Sequence, residues 1–126
     1  MSVIVDTSVW VDHFRYRNDV LINLLQADRV LTHRMVLVEL ACGTPPSPRT
    51  RTLGEIALLR PCNQANLDEV IDLIEREKLY GLGCGLVDTA LLASTLITPG
   101  ARLWTLDKRL ASLAERFGVG FQGSYH

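Results

Sequence analysis

The chain has 126 residues, of which 48% are hydrophobic and 21% charged. That is the length of one domain and the composition of an ordinary globular protein, and it excludes a disordered or fibrous chain. Thirteen basic against fourteen acidic residues leave a net charge of −1, so composition gives no argument for a nucleic-acid partner beyond a local basic rim.

Val3-Ile4-Val5 is a continuous apolar run, too short for a helix of its own. It reads as a strand buried on both faces, as in a parallel sheet. Asp6 follows at once. A carboxylate at the C-terminal end of a central strand sits at the edge where open α/β sheets bind ligands. Equally, Asp is among the best N-caps for a helix that begins at Thr7. Thr7 to Phe14 reads as a short helix, broken by Arg15-Tyr16-Arg17-Asn18. Asn18 is placed to cap a helix from Asp19 to Ala27, with Val20, Leu21, Leu24 and Leu25 as its stripe. Val30-Leu31-Thr32 is a second short strand. Met35 to Cys42 is a helix that Gly43 can end. Three prolines make Thr44-Pro45-Pro46-Ser47-Pro48 a loop. Arg49 to Leu59 returns to helix, and Pro61 stops it.

Asn66 to Lys78 is the clearest amphipathic helix, with Leu67, Val70, Ile71 and Ile74 on one face. Tyr80-Gly81-Leu82-Gly83-Cys84-Gly85 is a glycine-rich connector. It follows no strand and lacks the spacing and the Lys-Ser/Thr end of a phosphate loop. Leu86 to Ile97 is helix, closed by Thr98-Pro99-Gly100. Leu103-Trp104-Thr105 is a strand, Asp107 to Arg116 a helix, and Val119-Gly120-Phe121 a final edge strand. The alternation predicts an α/β fold, with a parallel sheet covered by helices in one domain over residues 1–126. No repeat, linker or low-complexity tail interrupts it.

Cys42, Cys62 and Cys84 are odd in number and widely spaced, which argues for small buried hydrophobes rather than disulfides or zinc. His13, His33 and His126 lack metal-ligand spacing. No apolar stretch approaches the ~20 residues that span a bilayer. The N-terminus has neither a basic region nor a small-residue cleavage site. The expected location is the cytoplasm, away from membranes.

Most of the acids have an ordinary place on polar helix faces, but four do not. Glu39 has Met35, Val36, Cys42 and Gly43 as its helical neighbours, which predicts a buried carboxylate in need of a partner, an arginine or a metal. Asp88 repeats the pattern among Cys84, Gly85, Leu91 and Leu92; in a first helical turn it would also favour the macrodipole. Asp107 mirrors Asp6, after a strand and before a helix, with capping as its alternative role. Ser8 and Thr105 are hydroxyls beside these acids, placed to orient them or to hold water at a metal. If both strands are central and parallel, Asp6 and Asp107 emerge at one edge, and Glu39 and Asp88 can join from facing helices. Such a cluster repels itself unless a hard divalent cation, Mg²⁺ or Mn²⁺, relieves it. The matching chemistry is metal-assisted phosphodiester hydrolysis.

These motifs in this order resemble a PIN-domain ribonuclease, and within that family a VapC-type toxin of a type II toxin–antitoxin pair. The resemblance rests on Val5-Asp6-Thr7-Ser8-Val9-Trp10, on Glu39 in its helix, on Gly81-Leu82-Gly83 leading to Leu86-Val87-Asp88, and on Leu103-Trp104-Thr105-Leu106-Asp107-Lys108-Arg109-Leu110. It implies an α/β/α sandwich around a parallel sheet, usually dimeric. It implies Asp6, Glu39, Asp88 and Asp107 as an acidic metal-binding quartet, supported by Thr105 or Ser8. The implied partners are an RNA substrate and a small VapB-type antitoxin that blocks the site. Residues 44–80 carry no family signature and are where substrate choice is expected.

Rival readings fit less well. A haloacid-dehalogenase-like phosphatase needs a second Asp where Ser8 stands. A phospho-acceptor receiver needs an Asp after a third strand, absent from Gly54 to Asn63, and a Lys after the last. A PIN-like module that only binds RNA or a partner remains the non-enzymatic alternative, against which stand all four acids. Arg15, Arg17, Arg49, Arg51, Lys108 and Arg109 are candidate phosphate contacts, each equally explained as solvated surface.

Overall fold

The computed structural model describes residues 1–123. Four parallel strands form one sheet: β1 (Ser2–Val5), β2 (Val30–Thr32), β3 (Arg60–Pro61) and β4 (Ala101–Trp104), in the order β3-β2-β1-β4. Seven helices lie among the described residues: α1 (Thr7–Tyr16), α2 (Asp19–Gln26), α3 (Arg34–Cys42), α4 (Arg49–Ala57), α5 (Leu67–Glu77), α6 (Leu86–Leu96) and α7 (Lys108–Arg116). The result is the expected three-layer α/β/α sandwich. None of these helices is long and apolar enough to cross a membrane.

β1 is central because its side chains can afford no water: Val3, Ile4 and Val5 are all buried. It pairs with β2 through Val3 and Ile4, and with β4 along its whole length, Ser2 opposite Ala101 and Val5 opposite Trp104. The chain leaves β1 to build β2 and β3 on one side, then returns to lay β4 on the other. The carboxyl ends of β1 and β4 therefore flank a topological switch point, where open α/β sheets form their binding crevice.

Three strands differ from the sequence expectation. β3 was hidden behind Pro61, read only as a helix stop. α4 ends at Ala57, and Arg60-Pro61 pairs with Leu31-Thr32 at the sheet edge, where a residue without an N–H is tolerated. The expected edge strand over 119–121 is a single bridge between Gly120 and Leu103. Glycines at 118 and 120 leave Val119 little strand propensity around it. β4 also starts two residues earlier than its apolar run, because Ala101 and Arg102 pair with Ser2 and Val3.

The helices are held by the caps their sequences offer. Asn18 accepts the Leu21 N–H, and Asn66 and Glu69 form a reciprocal capping box on α5. α6 is buried from Thr89 to Thr95. Its first turn, with Asp88, and its last residue, Leu96, reach the surface.

Candidate active site

Asp6 follows β1 directly and is 6% exposed. It occupies the N-cap position of α1, yet its side chain makes no capping bond. Instead its Oδ2 accepts the hydroxyl protons of Ser8 and Thr105, each at 2.7 Å. The Ser8 and Thr105 oxygens are 3.3 Å apart, but each hydroxyl has one proton, and both are given to Asp6. The same two oxygens accept backbone N–H groups of the β4–α7 turn: Leu106 donates to Ser8 and Asp107 to Thr105, each at 3.0 Å. One carboxylate oxygen thus stitches the end of β1 to the end of β4. The other, Oδ1, takes no hydrogen bond from the described residues and is not sealed from solvent.

The remaining three acids stand around this point. Glu39, expected to be buried, is exposed, as is Val38 beside it at 60%. α3 is a short helix at the rim, and its apolar neighbours in sequence do not close over residue 39. The Glu39 carboxylate is held by Thr7, whose hydroxyl donates to Oε1 at 2.6 Å. Asp107 is exposed and caps α7, accepting the Arg109 and Leu110 N–H groups on Oδ1 at 2.9 and 3.0 Å. Its capping role is therefore real, and one oxygen remains over. Asp88 is half-buried in the first turn of α6. Burial pushes its carboxyl above the ordinary range. Asp6, Asp107 and Glu39 push the same way, against a hydrogen bond from the Gly85 backbone. All four acids thus share one electrostatic neighbourhood.

Among the described residues, no three carboxylate, imidazole or thiolate groups are already gathered at ligating distance. The donor set is nonetheless that of a hard cation: oxygen only, with no ion pair to an arginine or lysine for any of the four among the described residues. The cysteines stay outside this chemistry. Burial raises the Cys62 thiol to about 11. Cys84 is raised by burial, then by Asp88 and Asp107, with Arg109 opposing. Cys42 is exposed rather than buried as expected. The Asn18 N–H donates to His13 Nδ1, and His33 caps α3. His126 lies outside the described residues.

A groove of about 530 Å³ opens beside Glu39 and Thr7, walled by Phe14, Arg15 and the proline loop at Pro45 and Pro46. Of the candidate phosphate contacts, three are engaged within the chain. Arg17 pairs with Asp19, Arg51 faces Glu55 at 3.9 Å, and Arg49 donates to the Ala41 carbonyl. Arg15, Lys108 and Arg109 make no ion pair among the described residues. Arg109 packs directly on Gly83, where an added Cβ would collide with its side chain. Sequence reading missed Thr7 as a support. Its signal was the Asp-Thr-Ser triplet itself, in which all three polar side chains turn out to be used.

A family model for the PIN domain matches residues 3–116 of this parallel α/β sandwich. The chain belongs to the PIN-domain family. Within that family it is similar to ribonuclease VapC32 of Mycobacterium tuberculosis. The two are 41% identical over 117 residues, which cover 93% of this chain and 94% of the relative, and a second strain gives the same figures. The VapC-type resemblance read from the motifs is borne out.

Proposed function

We propose that this protein, a single nuclease domain over residues 1–126, is an Mg²⁺- or Mn²⁺-dependent endoribonuclease and the toxin of a type II toxin–antitoxin pair. The observation that carries the reading is Asp6. A nearly buried carboxylate stands at the switch point, does not cap its helix, keeps one oxygen free of hydrogen bonds from the described residues, and shares its electrostatic neighbourhood with three other acids. The similarity to a VapC ribonuclease supports RNA as the substrate.

Asp6, Glu39, Asp88 and Asp107 would hold the cation. A bound divalent ion supplies a Lewis acid for the phosphoryl oxygen and lowers the pKa of an attacking water. The chain's own contribution is orientation. Ser8 and Thr105 fix the plane of Asp6 by occupying Oδ2, which leaves Oδ1 without a hydrogen bond from the described residues. Thr7 does the same for Glu39 through Oε1. Capping of α7 occupies one oxygen of Asp107 and leaves Oδ2 to the site. Burial and the neighbouring acids disfavour the charged form of Asp88, a penalty that a bound cation would relieve. Arg15, Lys108 and Arg109, which make no ion pair among the described residues, are the candidate contacts for RNA phosphates.

The expected partners are RNA, a small VapB-type antitoxin and a second copy of the chain, in the cytoplasm. An apolar face on α5 and α6 supports the homodimer: Leu67, Ile71, Tyr80 and Leu86 are all more than half exposed. They border a groove of about 540 Å³. Expression of the protein alone should arrest growth, and a co-expressed antitoxin should restore it. Expression to high level without any slowing, by a protein that cuts RNA in vitro, would remove the toxin assignment and leave a housekeeping nuclease.

A further inference from the structure

Glu39 and Asp88 ride on different helices, and those helices are joined at a buried polar knot away from the acids. His33 is 3% exposed and Ser94 is fully buried. His33 is the N-cap of α3. Its Nδ1 accepts the Met35 N–H at 3.0 Å, so Nδ1 is the unprotonated nitrogen. The ring proton therefore sits on Nε2, which lies 3.0 Å from Ser94 Oγ on α6 and donates to it. Ser94 Oγ also accepts the Ala65 N–H at 3.0 Å, and the Arg34 N–H donates to Gln64 Oε1 at 2.8 Å. The start of α3, the connector before α5 and the far end of α6 thus meet in one place.

Both ring nitrogens are committed, so the imidazole cannot rotate without losing a buried hydrogen bond. Burial alone lowers the affinity of the ring for a second proton, which keeps it in the neutral form that the capping bond requires. The knot is also placed as a lever. His33 stands six residues before Glu39 and Ser94 six after Asp88, each about 9 Å along its helix at 1.5 Å per residue. α3 runs from the knot towards the site, and α6 runs from the site towards the knot.

We propose that His33 is a positioning residue: by donating to Ser94 it fixes α3 against α6, and so sets how far Glu39 stands from Asp88 at the mouth of the site. This rests on the reading of those acids as metal ligands. Neither His33 nor Ser94 touches the acids, so the effect is on placement only.

The test uses the purified full chain and Mn²⁺ as the probe. The Mn²⁺-induced rise in melting temperature, followed over Mn²⁺ concentration, gives an apparent Kd. Ser94→Ala removes the acceptor. His33→Asn keeps a good N-cap but is too short to reach Ser94, and serves as the second variant if Ser94→Ala does not fold. Each should weaken the apparent Mn²⁺ affinity about tenfold, as disturbed metal surroundings typically do. Cleavage at saturating Mn²⁺ should recover with an unchanged KM for RNA. In the parent protein, ¹⁵N NMR of the His33 ring should show the Nε2–H form. A parent-like Mn²⁺ midpoint in both variants, or an Nδ1–H ring, overturns the proposal. Glu39→Gln and Asp88→Asn separate the two layers. If they too leave the Mn²⁺ midpoint unmoved, the ligand assignment itself fails and the positioning role falls with it.

Discussion

Thr105 and Asp6 lie 99 residues apart in the chain, yet the Thr105 hydroxyl donates to Asp6 Oδ2 at 2.7 Å. Ser8 donates to the same oxygen, also at 2.7 Å. Two strands that pair in parallel bring the chain ends of the motif together, and the two hydroxyls then hold one carboxylate in one orientation. Thr105→Val and Ser8→Ala should each lower kcat/KM by about 10- to 100-fold, the usual cost of loosening a ligand's support. Because both act on one oxygen, the double variant should lose less than the product of the two losses. A double-mutant cycle on cleavage rate checks this, and strict multiplicativity would show that the hydroxyls act separately.

Asp6 and Asp107 follow two equivalent strands but bond differently, and substitution should separate them. Asp107 caps α7, so Asp107→Ala should cost about 1 kcal/mol, whereas Asn caps as well as Asp and should leave melting nearly unchanged. Asp6 makes no capping bond. Asp6→Asn should abolish cleavage while its metal-free melting temperature stays at or above the parent's, since one charge of a crowded set is gone. Asp107→Asn should be the milder of the two in activity. Cleavage rates and metal-free melts for these variants decide the matter, and full activity in Asp6→Asn would remove its assigned role.

Asp88 should make metal-free stability depend on pH in a particular sense. Burial first, then Asp6 and Asp107, hold its carboxyl above the ordinary range. The folded chain therefore binds that proton more tightly than the unfolded chain. Stability contributed by this group is full at low pH. It falls as pH rises from the ordinary carboxyl value through the raised one, and stays low above it. Asp88→Asn should flatten that slope and raise the metal-free melting temperature at neutral pH. Stabilisation by Mn²⁺ should grow over the same window, since the cation needs the deprotonated ligand. Melting curves across pH, with and without Mn²⁺, read both effects; a metal-free stability that climbs with pH on account of Asp88 would contradict the assignment.

Thr32 offers a test of the core. Its hydroxyl is buried at the end of β2 and has no hydrogen-bond partner among the described residues. Thr32→Val keeps the shape, suits a strand and removes an unsatisfied group. It should stabilise the protein by about 1 kcal/mol without changing cleavage. Chemical denaturation measures the gain, and a loss of stability would mean that the hydroxyl is satisfied in solution.

What the sequence made legible follows the range of the interactions involved. β1 and Asp6 were readable because a central parallel strand is a short, unbroken apolar run, and the acid after it stands at the binding edge. α5 was readable because its stripe and its Asn66–Glu69 capping box are local. Glu39 was expected to be buried and is not. Apolar neighbours along α3 predicted burial, but a helix at the rim leaves residues 38 and 39 uncovered, and the carboxylate is instead held by Thr7, 32 residues away. β3 escaped because two residues, one of them Pro61, carry no periodicity and are strand only through pairing with β2. The His33–Ser94 bond spans 61 residues and joins two residues that are unremarkable in their own segments. Contacts of that range are fixed by the sheet order, which local pattern does not encode.

The central claim is that four acids act through a divalent cation on an RNA phosphodiester. Incubating the purified protein with RNA in Mn²⁺ or Mg²⁺, and in EDTA, and then identifying the product ends tests it most directly. A water nucleophile does not need the substrate's 2′-hydroxyl. The account predicts cleavage only with the metal, leaving a 5′-phosphate and a 3′-hydroxyl. Undiminished cutting in EDTA, or 2′,3′-cyclic phosphate ends, would contradict it.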